Sequence, residues 1–180
     1  LVGSLGLSVQ SVNVPFEVTG FSTLGHQYSG MGYMREGSLR LTHYSDFNER
    51  IDLEKFNRCS SYTNGYTPDT EALELAIMRI NTMPQKRKIV IILTDGHSEN
   101  GHGYITVQGE HVASRQIFAN HRLAVLEQAK KDGVEVFAIM VGHIEASGYD
   151  PRHVLQVLDF NELEQKLFRL FFNVISGGDK

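Results

Sequence analysis

The most prominent pattern in the chain is the continuous apolar run. Ile89 to Leu93 is apolar at every position, between Lys88 and Thr94. Val134 to Val141 is a second such run, interrupted only by Glu135. Runs this short, rich in β-branched residues and closed by Asp95-Gly96 and Gly142-His143, fit parallel strands covered on both faces. Before and between them the spacing takes a helical period. Ala72, Leu73, Ala76, Ile77 and Ile80 form one stripe, which predicts a helix from about residue 69 to 82. Pro68 suits its first position, which makes Thr67 the N-cap, and Pro84 stops it. Ile117, Leu123, Leu126 and Ala129 predict an inward stripe on a helix over 112–131, with Gly133 as its C′ residue. Leu163, Leu167, Leu170, Phe171 and Val174 predict a last helix over 161–175, with Asn161 as cap and Glu164 at N3. Phe168 and Phe172 fall off that stripe.

Weaker alternation at Val14, Phe16 and Val18 predicts a strand over 14–21, and at Leu39, Leu41 and His43 a second, more exposed one. Val154 to Leu158 reads as a short edge strand. Leu1 to Leu7 reads as the tail of a helix or a buried connection. Residues 24–38 and 96–111 read as long glycine-containing loops, and 46–58 as an irregular crossover. Strands alternating with helices argue for a parallel α/β sheet, and such sheets bind ligands beyond the carboxyl ends of their strands. Asp95 and Gly142-His143 both lie at such ends.

The chain has 180 residues, enough for a single domain, here residues 1–176 with 177–180 as a tail. A formal charge of −4 gives no basic face for nucleic acid. No stretch approaches the roughly 18 apolar residues of a membrane span. Cys59 is the only cysteine, which excludes an internal disulfide and fits a reducing, cytoplasmic setting. Residues 1–16 carry no charge, so no basic leader region is present there. The chain is therefore expected to start inside a longer protein.

Candidate chemistry is sparse. Asp95, at the exit of an apolar strand, is either a turn-former or a cation ligand. Thr67 is either a plain N-cap or, with Asp95, a hard oxygen ligand for Mg²⁺. The eight histidines show no helical zinc spacing; His97, His102, His111 and His121 read as scattered and solvated. Gly96-His97-Ser98-Glu99-Asn100 lacks the second glycine of a nucleophile elbow. No phosphate-binding G-x-x-x-x-G-K-[ST] loop occurs. An autonomous enzyme would need a nucleophile or an acid–base pair, and none emerges.

Taken in order, Gly65-Tyr66-Thr67 before a helix, Ile92-Leu93-Thr94-Asp95-Gly96 at a strand exit and Val136 to Gly142 in a later strand resemble a von Willebrand factor A (vWA) domain. The resemblance covers nearly the whole chain. It implies a doubly wound, mainly parallel sheet with helices on both faces. It also implies a metal-ion-dependent adhesion site to which Thr67 and Asp95 contribute. The family's D-x-S-x-S motif, on its first central strand, has no counterpart here, because Asp46 is the first aspartate of the chain. The fold is therefore expected to lack that strand unless a missing segment or another chain supplies it. Mg²⁺ is expected to bind weakly or not at all.

Within the family, several segments resemble the C-terminal vWA domain of a CobT-type cobaltochelatase subunit. These are Phe16 to Thr23, Ser38 to Phe47, Asp69 to Leu73 and Ala138 to His143. That resemblance implies a non-catalytic subunit coupling an AAA+ ATPase to cobalt insertion into a corrin precursor, alongside a large chelatase subunit. The alternative it leaves open is a vWA adaptor for another AAA+ ATPase, without tetrapyrrole chemistry. Either partner is expected on the loops at the strand carboxyl ends, 22–38, 64–68, 95–111 and 142–152. Their expected contacts are His143 and four exposed aromatics, Tyr28, Tyr33, Tyr104 and Tyr149.

Overall fold

The computed structural model describes residues 9–10, 13–24, 38–52, 54–55, 67–94, 104–107, 110–142 and 148–176. Among the described residues, seven strands and three long helices run in the order β1 (Val18–Leu24), β2 (Ser38–Ser45), α1 (Asp69–Asn81), β3 (Lys88–Thr94), β4 (Tyr104–Val107), β5 (Glu110–Ala113), α2 (Ser114–Lys131), β6 (Val134–Val141), β7 (Val154–Val157) and α3 (Phe160–Ser176). A short 3₁₀ turn, Pro151–His153, leads into β7.

The parallel sheet has the order β3-β6-β7. Its register sets Ile89 beside Glu135 and Leu93 beside Ile139. β6 is the central strand, and its side chains divide between the two faces. Val134, Val136, Ala138 and Met140 join a core with Leu73 and Ile77 of α1 and Val125 and Ala129 of α2. Ile139 turns the other way, onto Val157, Leu163 and Leu167 beneath α3. Covering both faces with helices is what requires an unbroken apolar strand, and burying each Leu or Ile there contributes about 1.5–3 kcal/mol.

β1 and β2 form a separate antiparallel ribbon. It shares α1 as its neighbour with the parallel sheet: Phe21 of β1 packs against the core that holds Leu73 and Ile77. Arg79 of α1 fixes this arrangement. Its Nε donates to both carboxylate oxygens of Glu17, at 2.9 and 2.8 Å, and its Nη2 donates to Asp46 at 3.2 Å. Among the described residues no ladder joins β1 to β3.

This last point corrects the expectation that 88–94 is an interior strand. Among the described residues β3 lies at the edge of its sheet, and Leu93 is 37% exposed, while β6 is buried along most of its length. The composition of β3 is that of a strand with two neighbours, and among the described residues it has one. The expected doubly wound α/β class is present, with helices packed on both faces of the parallel sheet.

Other differences have local causes. The first strand begins at Val18, and residues 14–17 are extended without partners in a ladder. Part of the 96–111 excursion is regular: β4 and β5 form an antiparallel hairpin with Tyr104 opposite Ala113. Val112 belongs to β5, and α2 starts at Ser114. Leu123 is exposed, and Val125 takes the inward place assigned to it. α1 starts at Asp69 with Pro68 as its cap residue and no side-chain cap bond, so Thr67 is not the N-cap. α3 starts at Phe160, and Asp159 rather than Asn161 supplies the cap, accepting from the Asn161 N–H at 2.9 Å. Gly133, with φ 71°, terminates α2 as expected. Residues 1–8, 25–37, 56–66 and 177–180 lie outside the described residues, and with them the readings made there.

Candidate functional site

The carboxyl ends of β3 and β6 and the amino terminus of α1 lie together at one end of the sheet. α1 packs antiparallel to the strand that follows it, which sets Thr67, Pro68 and Asp69 at that end. The backbone turns tightly there: the Asp69 N–H donates to the Thr67 carbonyl at 2.9 Å, and the Ala72 N–H to the Pro68 carbonyl at 3.1 Å. Thr67 itself is half-buried. Thr94, the last residue of β3, is buried and sits immediately before Asp95. Asp95, Tyr28, Tyr33 and His143 lie outside the described residues. Tyr104 is on β4.

Tyr149 corrects an expectation. It is 7% exposed, packed within the α1–α2 core rather than offered as a surface anchor. Its phenol titration is pushed up to about 12, first by burial and then by the nearby Asp69 carboxylate, with Arg122 opposing. The preceding Gly148 makes this burial possible. Its φ is 93°, and a Cβ there would lie 3.0 Å from Leu123 Cδ2.

Two charged residues at this end were not singled out from the sequence. Asp69 is 1% exposed. Its Oδ1 accepts from the Thr70 backbone N–H at 2.7 Å and the Thr70 hydroxyl at 3.3 Å, and its Oδ2 faces Arg122 Nη1 at 3.4 Å. The Arg122 guanidinium also stands 5.9 Å from the centre of the Tyr149 ring, within cation–π range. The signals were slight: an aspartate directly after a helix-opening proline, and an arginine between Ile117 and Leu126 on a helix of otherwise ordinary polarity.

Among the described residues no three His, Cys, Asp or Glu side chains converge. Thr67 brings one hydroxyl, and the adjacent acid, Asp69, is engaged by Thr70 and Arg122.

An open α/β sheet with helices on both faces and a loop rim at its strand carboxyl ends defines a ligand-presenting domain class. Residues 25–169 match the model of the von Willebrand factor type A domain. The chain belongs to that family. Among curated proteins none matches. Two solved structures share the fold. Proximal thread matrix protein 1 from the mussel byssus is 21% identical, with a TM-score of 0.56 over 97% of this chain and 40% of its own. The pilus adhesin SpaC from Lactobacillus rhamnosus GG is 13% identical, with a TM-score of 0.62 over 97% of this chain and 27% of its own. This chain thus spans less than half the length of either.

Proposed function

We propose that this chain is a non-catalytic vWA interaction module whose protein partner docks on the rim formed by the Thr67 turn, the Asp95 strand exit and the loop that follows β6. The observation that carries this reading is that Thr67, Thr94 and the carboxyl end of β6 at Val141 lie at one end of the sheet. Among the described residues, the connections Thr82 to Arg87 and Asp132 to Gly133, at the opposite end, are short. Membership of a family whose domains commonly mediate protein–protein contact or adhesion supports it, as do a matrix protein and an adhesin built on the same fold. Among the described residues no helix is long and apolar enough to cross a membrane.

A finer reading rests on the segments resembling a CobT-type subunit. In that reading the partner is the AAA+ ATPase subunit of a cobaltochelatase, and this chain couples ATP hydrolysis to cobalt insertion in the cytoplasm. The alternative adaptor for another AAA+ ATPase uses the same rim. Mixing this chain with purified cobaltochelatase AAA+ subunit and following co-elution and ATPase rate separates them. A stable complex with altered ATPase rate supports the finer reading; the absence of both refutes it and leaves the interaction module.

The interrupted sheet belongs to this proposal. Among the described residues β1 and β3 each pair with one strand, and a further strand, apolar on both faces, would join them, supplied by another segment of the polypeptide or by a partner chain. The acidic half of a metal site would arrive with that strand. Mg²⁺ affinity of the present chain is accordingly weak or nil, and isothermal calorimetry with MgCl₂ should show no micromolar binding. Micromolar binding lost in Asp95→Ala would show that the residues present suffice.

A further inference from the structure

Three stretches far apart in sequence meet at Arg122. We infer that Arg122 is a positioning residue that locks the turn carrying Thr67 to the loop that follows β6, so that these two parts of the rim move as one.

Asp69 is joined to Thr67 through its backbone N–H and to Arg122 through its carboxylate. Arg122 projects from the middle of α2, with its side chain 14% exposed. Its guanidinium therefore reads the position of Asp69 on one side and of the Tyr149 ring on the other. The neighbouring residues of α2 complete the contact. Leu123 and Leu126 pack against the Gly148 backbone, whose positive φ turns Tyr149 inward. Thus α2 is the common support, and Arg122 is where both segments are held by directional contacts.

A role in stability alone explains this poorly. The desolvation of a buried ion pair offsets much of its Coulomb attraction, so apolar side chains of similar volume hold a core about as well. A charged fork differs from them in fixing direction. Without it, Asp69 would be a buried carboxylate that has lost its cation. It would relax toward water, and the Thr67 carbonyl bonded to its N–H would follow. The Tyr149 ring would lose the cation beneath it in the same event. The consequence for partner binding rests on the rim reading above; the mechanical coupling does not.

Residue-resolved amide exchange by NMR on the full chain tests this directly. Two sets of amides report on the two segments. Asp69, Thr70 and Ala72 report on the Thr67 turn, and Arg152 and His153, bonded to Asp150, report on the loop. In Arg122→Met both sets should exchange faster, by about tenfold, while β6 amides keep their protection. Arg122→Lys should recover part of the protection in both sets together. Tyr149→Leu, which leaves the ion pair in place, should speed exchange at Asp69 and Thr70 and decides the matter if Arg122→Met does not fold. Faster exchange confined to one set, or a Tyr149→Leu effect that stops short of Asp69, overturns the coupling. A partner that binds Arg122→Met normally, although both sets exchange faster, refutes the rim reading and leaves the coupling standing.

Discussion

Gly148 and Tyr149 show how one backbone angle decides what a side chain can do. At φ 93°, with Leu123 Cδ2 3.0 Å from where a Cβ would stand, position 148 accepts no other residue without strain. Gly148→Ala should lower stability by about 1–3 kcal/mol, read as a fall in melting temperature. The aromatic it buries gives a pH signature. Its phenol is held neutral up to about 12, against an ordinary value of 10.0. The folded state therefore keeps a proton that the unfolded chain releases above pH 10. That contribution to stability is complete below pH 10 and declines as pH rises toward 12. Tyr149→Phe should remove the alkaline decline, so its advantage over the wild type grows by about 1 kcal/mol between pH 9 and 11. Because no hydrogen bond is made by the buried hydroxyl among the described residues, the same variant should be neutral or slightly stabilising at pH 7. Denaturant melts of both proteins at the three pH values check this. From the sequence Tyr149 looked like a surface anchor, because nothing in its neighbours signals that Gly148 turns it inward.

At the scale of the element, the helices and strands with strong periodicity were legible, and those that depend on tertiary partners were not. β6 and α1 stand close to where their apolar spacing set them. α3 presents Leu163 and Leu167 inward as expected, and leaves Phe168 and Phe172 54% and 72% exposed. Leu167→Ala should cost about 2–5 kcal/mol by opening a cavity beneath α3. The β4–β5 hairpin escaped notice because its eight paired residues mix Tyr, Thr, Glu and His without clean alternation. The cap of α3 shifted by two residues because Asp159 is as good an acceptor as Asn161. Charge adds little here but leaves a trace. Arg87, just before β3, grips Glu135 of β6 at 2.7 Å and holds its carboxylate below the ordinary carboxylate range, with burial opposing. A depressed folded value means that stability is present at neutral pH and lost as acid protonates the group. Both side chains are more than a third exposed, so Arg87→Gln should cost less than about 1 kcal/mol at pH 7, and the difference should vanish in acid. A melting series from pH 7 to 3 measures it.

For the whole molecule, the sequence pattern carried the class of fold and the number of layers, and the family match agrees with it. It also overstated β3, since an apolar run says what a strand needs on each side and not whether the neighbour is there. The amides of β3 that point away from β6 should therefore exchange rapidly in this chain and become protected once a further strand is supplied. Slow exchange of every β3 amide in the chain alone would show that the edge is already filled. The sequence pointed to the strand exits for the proposed rim, and it did not reveal Asp69 and Arg122, which act through packing that spacing cannot convey. Docking of the partner on this end is tested by the affinity of Asp95→Ala for that partner, taken beside the variant's melting temperature. A strand-exit aspartate contributes little to the core, so binding should weaken by at least about tenfold, or 1.4 kcal/mol, with an unchanged melting temperature. Unchanged affinity in a normally folded variant would contradict it and move the interface to the exposed Phe168 and Phe172 face of α3.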